Sequence, residues 1–318
     1  MQMSHAKPKL IPVVSLKGGC GKSFVSGNLA LALTHLGFKV GAIDADYHAP
    51  NLHVVLDSLG TPTRGPGDLI IPPTTPAGIK FLSWAMIWPE ESAVLVEDSQ
   101  ITVDDVHNVK NMIMTSITHS QDSVEMSTEK YDAILRYLDD LINHPGGAVE
   151  HIRSLIDSNT IQWGELDYLI VDTPPEVTGV MKAIACSSNV WGCLIITHPS
   201  KVSLADTKRT MNMFQQKHIP LLGIVSNQGT QDGVDRYDLT DKDIQEFAAV
   251  RQAPFIMSIP HISSTAAPSH YFEELAQWLQ THEPVYLPKV EDHDVSSVAK
   301  LMKISRIIDR LTTSGGRS

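Results

Sequence analysis

The chain reads Ser15-Leu16-Lys17-Gly18-Gly19-Cys20-Gly21-Lys22-Ser23 between a short apolar run at 10–15 and a helical pattern at 21–36. Glycine adopts backbone angles that other residues avoid, so such a turn can aim several backbone N–H groups at one point. The amino end of the following helix adds the positive end of its dipole. A strand, this loop and a helix together predict a phosphate-binding loop. Lys22 would neutralise phosphate charge there, and the Ser23 hydroxyl would bind Mg²⁺.

Short apolar runs alternate with helical patterns on both sides of this loop. We predict strands at 10–15, 39–43, 79–83, 168–171, 190–197, 221–226 and 255–259, and helices at 21–36, 203–218 and 271–280. Strands that alternate with helices indicate βαβ units, whose right-handed crossovers place helices on both faces of a mostly parallel sheet. The expected fold class is α/β: a three-layer P-loop NTPase fold with a predominantly parallel sheet.

Polar side chains follow several of the predicted strands. Asp44 and Asp46 come after the second strand, Asp172 after the fourth, and Asn227 after a late one. The carboxyl ends of parallel strands form the edge where α/β folds bind ligands. Carboxylates at that edge can hold Mg²⁺ and orient an attacking water. The alternatives are two solvated acids in a turn at Asp44 and Asp46, and an ordinary turn residue at Asn227.

The loop departs from the plain pattern G-x-x-x-x-G-K-S/T, because Leu16 occupies the first glycine position and a second lysine, Lys17, precedes Gly18. The form Lys-Gly-Gly-Xaa-Gly-Lys-Ser resembles that of the MinD/ParA/Mrp group of P-loop ATPases, which are deviant Walker A proteins. The resemblance implies binding of ATP with Mg²⁺, slow hydrolysis that acts as a switch, and a homodimer. In that dimer, Lys17 would cross to the ATP of the partner subunit.

The same resemblance implies roles for individual residues. The segment 167–175 looks like the Walker B strand and switch II of the family, although Glu176 stands where members often have glycine. Catalysis would involve Lys17, Lys22 and Asp46. Nucleotide contacts would come from Gly18, Gly19, Cys20, Gly21, Lys22, Ser23, Phe24 and Asn227, with Asn227 at the adenine edge. Mg²⁺ would be held by Ser23, Asp44 and Asp172.

Three further stretches, at 78–83, 163–168 and 197–227, look specifically like Mrp-type proteins, which act as carriers in iron–sulfur cluster assembly. Those proteins have a Cys-x-x-Cys motif shortly after the adenine asparagine, but residues 227–235 of this chain contain no cysteine. Cys186 and Cys193 are interpreted as core residues. The resemblance therefore supports an ATPase more strongly than a bound iron–sulfur cluster. We expect an accessory factor in metallocluster or metalloenzyme assembly.

Charge is unevenly distributed along the chain, whose formal net charge is −11. Residues 90–150 hold thirteen acids and three bases, whereas residues 295–318 hold five bases and one acid. We predict a single domain over 1–318 with an acidic helical insertion at 98–160 and a C-terminal helical extension at 281–318. The insertion is a solvated face or a docking site for a protein client. The extension packs on the core, or lies on an anionic membrane as in MinD-type members.

Composition narrows the remaining alternatives. The chain has 42% hydrophobic residues, 19% charged residues and three cysteines, which indicates a globular protein without a disulfide framework. It has neither a spanning apolar run nor the apolar stretch of a signal peptide, so we expect it to be cytoplasmic, and peripheral at the membrane if the extension binds lipid. Its acidic balance weighs against DNA as a partner. Two other functions stay open: a MinD-like positioning ATPase, and a non-catalytic scaffold gated by nucleotide.

Overall fold

The computed structural model describes residues 7–46, 50–58, 60–83, 86, 161–175, 184, 189–229, 238–262 and 270–288. The insertion predicted at 98–160 lies outside these residues, and so does the extension predicted at 281–318 beyond residue 288. Cys186 and Glu176 also lie outside them. The helical insertion and the C-terminal helical extension, whether it packs on the core or lies on a membrane, therefore stay predictions.

The first half of the described chain runs β1 (Lys9–Val14), α1 (Lys22–His35), β2 (Val40–Asp44), α2 (Leu52–Val55), β3 (Thr63–Arg64), a 3₁₀ turn at Pro66–Asp68, β4 (Ile70–Ile71) and β5 (Lys80–Ser83). The second half runs β6 (Tyr168–Asp172), β7 (Cys193–Thr197), α3 (Lys201–Lys217), β8 (Leu221–Gly229), α4 (Asp241–Val250), β9 (Phe255–Pro260) and α5 (His270–Thr281).

Seven of these strands form one sheet in the order β5-β2-β6-β1-β7-β8-β9. All six neighbouring pairs in the sheet are parallel. The prediction of a parallel α/β fold is therefore confirmed. The predicted strand 190–197 starts too early, because β7 begins at Cys193. Val190 makes only one isolated bridge, to Leu10. Gly192, which has no side chain to pack, lies between Val190 and β7.

The two faces of the sheet have separate apolar cores. On one face, helices α1 and α5 bury Val25, Leu29, Leu33, Phe272, Leu275 and Leu279. On the other face, helices α3 and α4 bury Met211, Phe214, Ile244 and Ala248. Every residue of β2, β6 and β7 is buried, which explains why these strands appear in the sequence as continuous apolar runs rather than alternating ones. Helices on both faces leave the carboxyl edge of the sheet as the place for a site.

That edge brings together residues that are far apart in the chain. Asp44 at the end of β2 pairs in register with Asp172 at the end of β6 and with Ser83 at the end of β5. Val13, just before the glycine-rich loop, pairs with Asp172 from the other side. The loop therefore begins beside the carboxylates. Within the described residues, no helix is both long and apolar enough to cross a bilayer.

Candidate nucleotide-binding site

The glycine-rich loop, residues 15–21, connects the end of β1 to the first turn of α1. Gly21 is the N-cap of α1 and has a φ of 80°, in the left-handed region that favours glycine. A Cβ built on Gly21 would lie 2.2 Å from Nδ2 of Asn227. A Cβ on Gly18 or Gly19 would meet no atom within 4 Å, so the space beside these two residues is open. Gly21 thus shapes the loop, and Gly18 and Gly19 line open space.

Asn227 lies near the end of β8 and is 2% exposed. Its Nδ2 donates a hydrogen bond of 2.8 Å to the backbone oxygen of Cys20. Since buried backbone carbonyls need a partner, this bond ties the conformation of the loop to β8. The structure thus brings Asn227 to the loop as the sequence predicts, while its contact with an adenine edge stays a prediction.

Asp172 lies behind the loop, and its side chain is almost fully buried. Its Oδ1 accepts a 2.9 Å hydrogen bond from the Ser26 hydroxyl, whereas its Oδ2 is buried without a hydrogen-bond partner. Burial raises the pKa of Asp172 to about 6, although a hydrogen bond from Ser23 and the charge of Lys22 lower it. A buried carboxylate oxygen without a partner is costly. Together with the Ser23 hydroxyl, it has the oxygen chemistry that Mg²⁺ prefers.

Asp44 is fully buried beside Asp172. Its Oδ1 accepts the backbone N–H of Asp46 at 3.1 Å, and its Oδ2 accepts that of Leu52 at 3.0 Å. Burial, and then the negative charge of Asp172, raise the pKa of Asp44 well above its usual range. Its carboxylate thus holds the turn that carries Asp46 at the rim of the site, and a role for Asp44 or Asp46 at the metal or in catalysis stays a prediction.

Lys17 and Lys22 occupy different surroundings. Lys22 is 7% exposed, whereas Lys17 is half-buried. The Nζ of Lys17 lies 3.0 Å from Nε2 of His198, which follows β7 directly. His198 is 5% exposed, and burial together with the charge of Lys17 lowers its pKa. The first turn of α1 contains no acidic residue, so the positive end of the helix dipole is not neutralised by a side chain of that turn.

Two residues at this site were missed by the sequence analysis. Ser26 lies one helical turn after Lys22 and so shares its face of α1, a spacing that could have identified it. His198 follows the end of a predicted strand, as Asp44, Asp172 and Asn227 do, and that position was the available signal.

The side chains of two residues predicted to contact the nucleotide pack against other parts of the protein. Phe24 packs edge-on against Phe272 of α5, with ring centroids 5.5 Å apart. Cys20 is fully buried, with its Sγ 3.6 Å from the Ser203 hydroxyl. Cys193 is also fully buried, in β7, where the sequence analysis expected a core residue, and burial raises the pKa of its thiol.

Comparison with protein families agrees with this architecture. A family model described as "ParA: NUBPL iron-transfer P-loop NTPase" matches residues 7–108 and 139–277. The interval between the two matched ranges, 109–138, falls inside the predicted insertion.

Several relatives share the name "iron-sulfur cluster carrier protein". The relative from Aquifex aeolicus is 26% identical over 96% of this chain and 68% of its own length. The one from Methanocaldococcus jannaschii is 31% identical over 71% of this chain and 61% of its own length. The one from Saccharolobus solfataricus is 32% identical over 71% of this chain and 60% of its own length. This chain thus spans about three fifths to two thirds of these relatives.

Two solved structures share the fold. A nucleotide-binding protein from Archaeoglobus fulgidus in complex with ADP has a TM-score of 0.51 and 22% identity, covering 89% of this chain and 93% of that one. The MinC:MinD cell division protein complex from Aquifex aeolicus gives a TM-score of 0.52 and 17% identity, covering 89% of this chain and 100% of that one. At these identities, the likeness establishes the architecture.

Replacing Gly21 with alanine should destabilise the folded protein by about 1–3 kcal/mol, because alanine resists this backbone conformation and its methyl group would collide with the Asn227 amide. Urea unfolding followed by circular dichroism measures the change. Gly18→Ala is the matched control and should stay within about 1 kcal/mol of the wild type, since its φ is ordinary and the space is open. Equal losses in the two variants would contradict the role assigned to Gly21.

Replacing Asp172 with asparagine should stabilise the metal-free protein by about 1–3 kcal/mol at neutral pH. The carboxyl group has a pKa of about 6 in the folded state against its usual 3.8. The folded state therefore binds its proton more tightly than the unfolded state does. The protonated Asp172 carboxyl therefore contributes its full stabilisation below about pH 4, and this contribution is lost as the pH rises to about 6.

Thermal unfolding in chelator, from about pH 4 to about pH 8, checks this expectation. The variant should lose the part of the pH dependence that Asp172 causes. Asp57→Asn is the control, because Asp57 is exposed and has a φ of 49°, which asparagine tolerates. A variant that is less stable than the wild type at neutral pH would argue against a strained carboxylate.

Proposed function

Because the chain belongs to the NUBPL-type family of iron-transfer P-loop NTPases, in the Mrp-like branch of the MinD/ParA class, we propose that it is an ATP-driven switch. It binds Mg-ATP, pairs with a second copy, hydrolyses the nucleotide slowly and assists the assembly of iron–sulfur or other metallocluster proteins. One observation carries this proposal: Lys22 and Ser23, in the first turn of α1, act on Asp172, whose buried Oδ2 has no hydrogen-bond partner.

The chemistry of the site complements a nucleoside triphosphate. Lys22 and the amino end of α1 would supply positive charge for phosphate oxygens in the same subunit, and Lys17 would supply it for the nucleotide of a second copy. Ser23 and Asp172 would hold Mg²⁺, which neutralises charge between the terminal phosphates. The Cys20–Asn227 hydrogen bond keeps the loop in shape before any ligand arrives. Binding would therefore require little rearrangement of the loop.

Hydrolysis would depend on the turn after β2. Asp44 accepts two backbone N–H groups there and so fixes the backbone of Asp46. Asp46 is half-buried at the rim, where its carboxylate can position an attacking water. Slow turnover follows if the site is complete only when Lys17 of a second copy arrives, because transition-state charge is then stabilised only in the dimer.

Lys17 and Lys22 should separate binding from pairing. Lys22→Ala should weaken Mg-ATP binding by the monomer about a hundredfold or more, since a buried charge contact to phosphate is lost. Lys17→Ala should leave monomer affinity within about threefold and abolish ATP-dependent pairing. Isothermal titration and sedimentation velocity, with and without a non-hydrolysable ATP analogue, measure the two effects. Unchanged affinity in Lys22→Ala, or a normal dimer in Lys17→Ala, would refute the corresponding assignment.

The relatives' shared name supports a role in iron–sulfur assembly, and the cysteines of this chain bear on its form. Cys20 and Cys193 are fully buried, and burial holds the Cys193 thiol protonated. Among the described residues, no group of three or more His, Cys, Asp or Glu side chains could hold a metal ion. We propose that the cluster resides on a client protein, for which the acidic insertion at 98–160 is the proposed docking segment.

Anaerobic reconstitution with ferrous iron and sulfide tests whether the cluster is bound by this chain or by its client. After desalting, we expect substoichiometric iron and sulfide, because Cys20 and Cys193 are inaccessible. Cys186→Ser should give the same amounts as the wild type if the cluster resides on the client. In a second arm, an apo iron–sulfur enzyme should regain its cluster faster with the chain and Mg-ATP than with Lys22→Ala. A stable stoichiometric cluster would make the chain a direct carrier, and no acceleration would contradict the assembly role.

A further inference from the structure

The contact between Lys17 and His198 has no part in the function proposed so far. Resting on the proposed ATP-dependent pairing, we propose that His198 is a positioning residue that retains the Lys17 ammonium within its own subunit. Pairing with a second copy then requires this contact to break. The restraint is sensitive to pH, because only the neutral imidazole can accept a hydrogen bond from an ammonium.

The geometry is that of a hydrogen bond. Lys17 Nζ and His198 Nε2 are 3.0 Å apart, and the ammonium can only donate. His198 is 5% exposed, so its ring is held by the fold and the acceptor is in place in advance. Lys17 is half-buried, so part of its side chain is reached by solvent. The fold therefore restrains His198 more than it restrains Lys17.

The backbone around His198 is anchored to the phosphate loop. The His198 N–H donates to the Ser203 hydroxyl at 3.2 Å. The same hydroxyl lies 2.9 Å from that of Thr197 and 3.6 Å from the Sγ of Cys20. Ser203 thus joins the end of β7, the first turn of α3 and the loop. This cluster keeps the imidazole at a constant position relative to Lys17.

Charges on neighbouring elements decide the protonation of His198. Lys17 on the loop and burial both lower its pKa, and Asp238, in the segment before α4, raises it. The Asp238 carboxylate is itself engaged with α3, accepting the Lys201 N–H at 3.0 Å and lying 3.7 Å from the Lys201 ammonium. The net result is a pKa below the usual range. At neutral pH the ring is neutral and the contact forms, whereas acidification charges the ring and repels Lys17.

Removing the restraint should therefore favour pairing. A charge-assisted hydrogen bond must break before Lys17 can cross, so His198→Ala should lower the dimer Kd by about tenfold at about pH 8. His198→Gln keeps a carbonyl acceptor and should stay near the wild type. His218→Asn is the matched control, because His218 lies at the far end of α3 with a φ of 52°, which asparagine adopts readily. Sedimentation with Mg²⁺ and a non-hydrolysable ATP analogue measures all four proteins.

The pH profile separates a positioning role from a merely structural one. As the pH falls from about 8 through the lowered pKa of His198, the wild-type Kd relative to that of His198→Gln should fall by about tenfold. The ratio between His198→Ala and His198→Gln should stay constant. Titration of Asp172 affects every protein alike and cancels in these ratios. A wild-type protein that pairs with ATP but shows the same Kd and profile as His198→Ala would overturn the inference and leave the proposed function standing.

A second measurement examines the contact without nucleotide or pairing. Histidine ring signals in NMR spectra of the nucleotide-free protein report the pKa of His198, which should rise in Lys17→Ala because a repelling charge is removed. An unchanged pKa would overturn the inference. If the wild type fails to pair with ATP while this pKa rises, the contact stands and the proposed switch is wrong.

Discussion

The rest of the site depends on two carboxylates that the parallel sheet forces together out of water. Asp44 and Asp172 end adjacent strands in register, and burial raises the pKa of both. Such a pair is tolerable only where compensating groups surround it. Backbone N–H groups compensate Asp44. Asp172 has a hydrogen bond from the Ser26 hydroxyl and the nearby Lys22 charge, and its Oδ2 has no hydrogen-bond partner. A cation is the ligand that this excess of negative charge favours.

Two contacts from the β7–β8 half of the sheet hold the phosphate loop. Asn227, at the end of β8, binds the backbone of Cys20, and Ser203, in the first turn of α3, contacts its thiol. Gly21 allows the first connection because any side chain there would collide with the asparagine amide. The phosphate loop, the adjacent strands and the residue that holds Lys17 are thus mechanically joined.

Elements with strong local signals were predictable, and those stabilised by distant partners were not. Strands β2, β6 and β7 appeared as apolar runs because they are covered on both faces. Helix α4 was missed because only Ile244 and Ala248 of it are buried, although the reciprocal cap between Thr240 and Asp243 was a signal for its start. The short ribbon of β3 and β4 has two residues in each strand, too few for a periodic pattern.

The sequence by itself determined the α/β class, the phosphate loop and the candidate acids, because glycine spacing and strand-terminal aspartates are local features that follow from backbone geometry. Only the tertiary structure decided which hydrogen-bond partners and which neighbouring charges each of these residues has. It placed Asp172 with a buried oxygen lacking a partner, committed the Asn227 amide to the loop and set His198 against Lys17. Those outcomes depend on strand order, register and burial, which bring together side chains separated by more than a hundred residues and which no local pattern encodes.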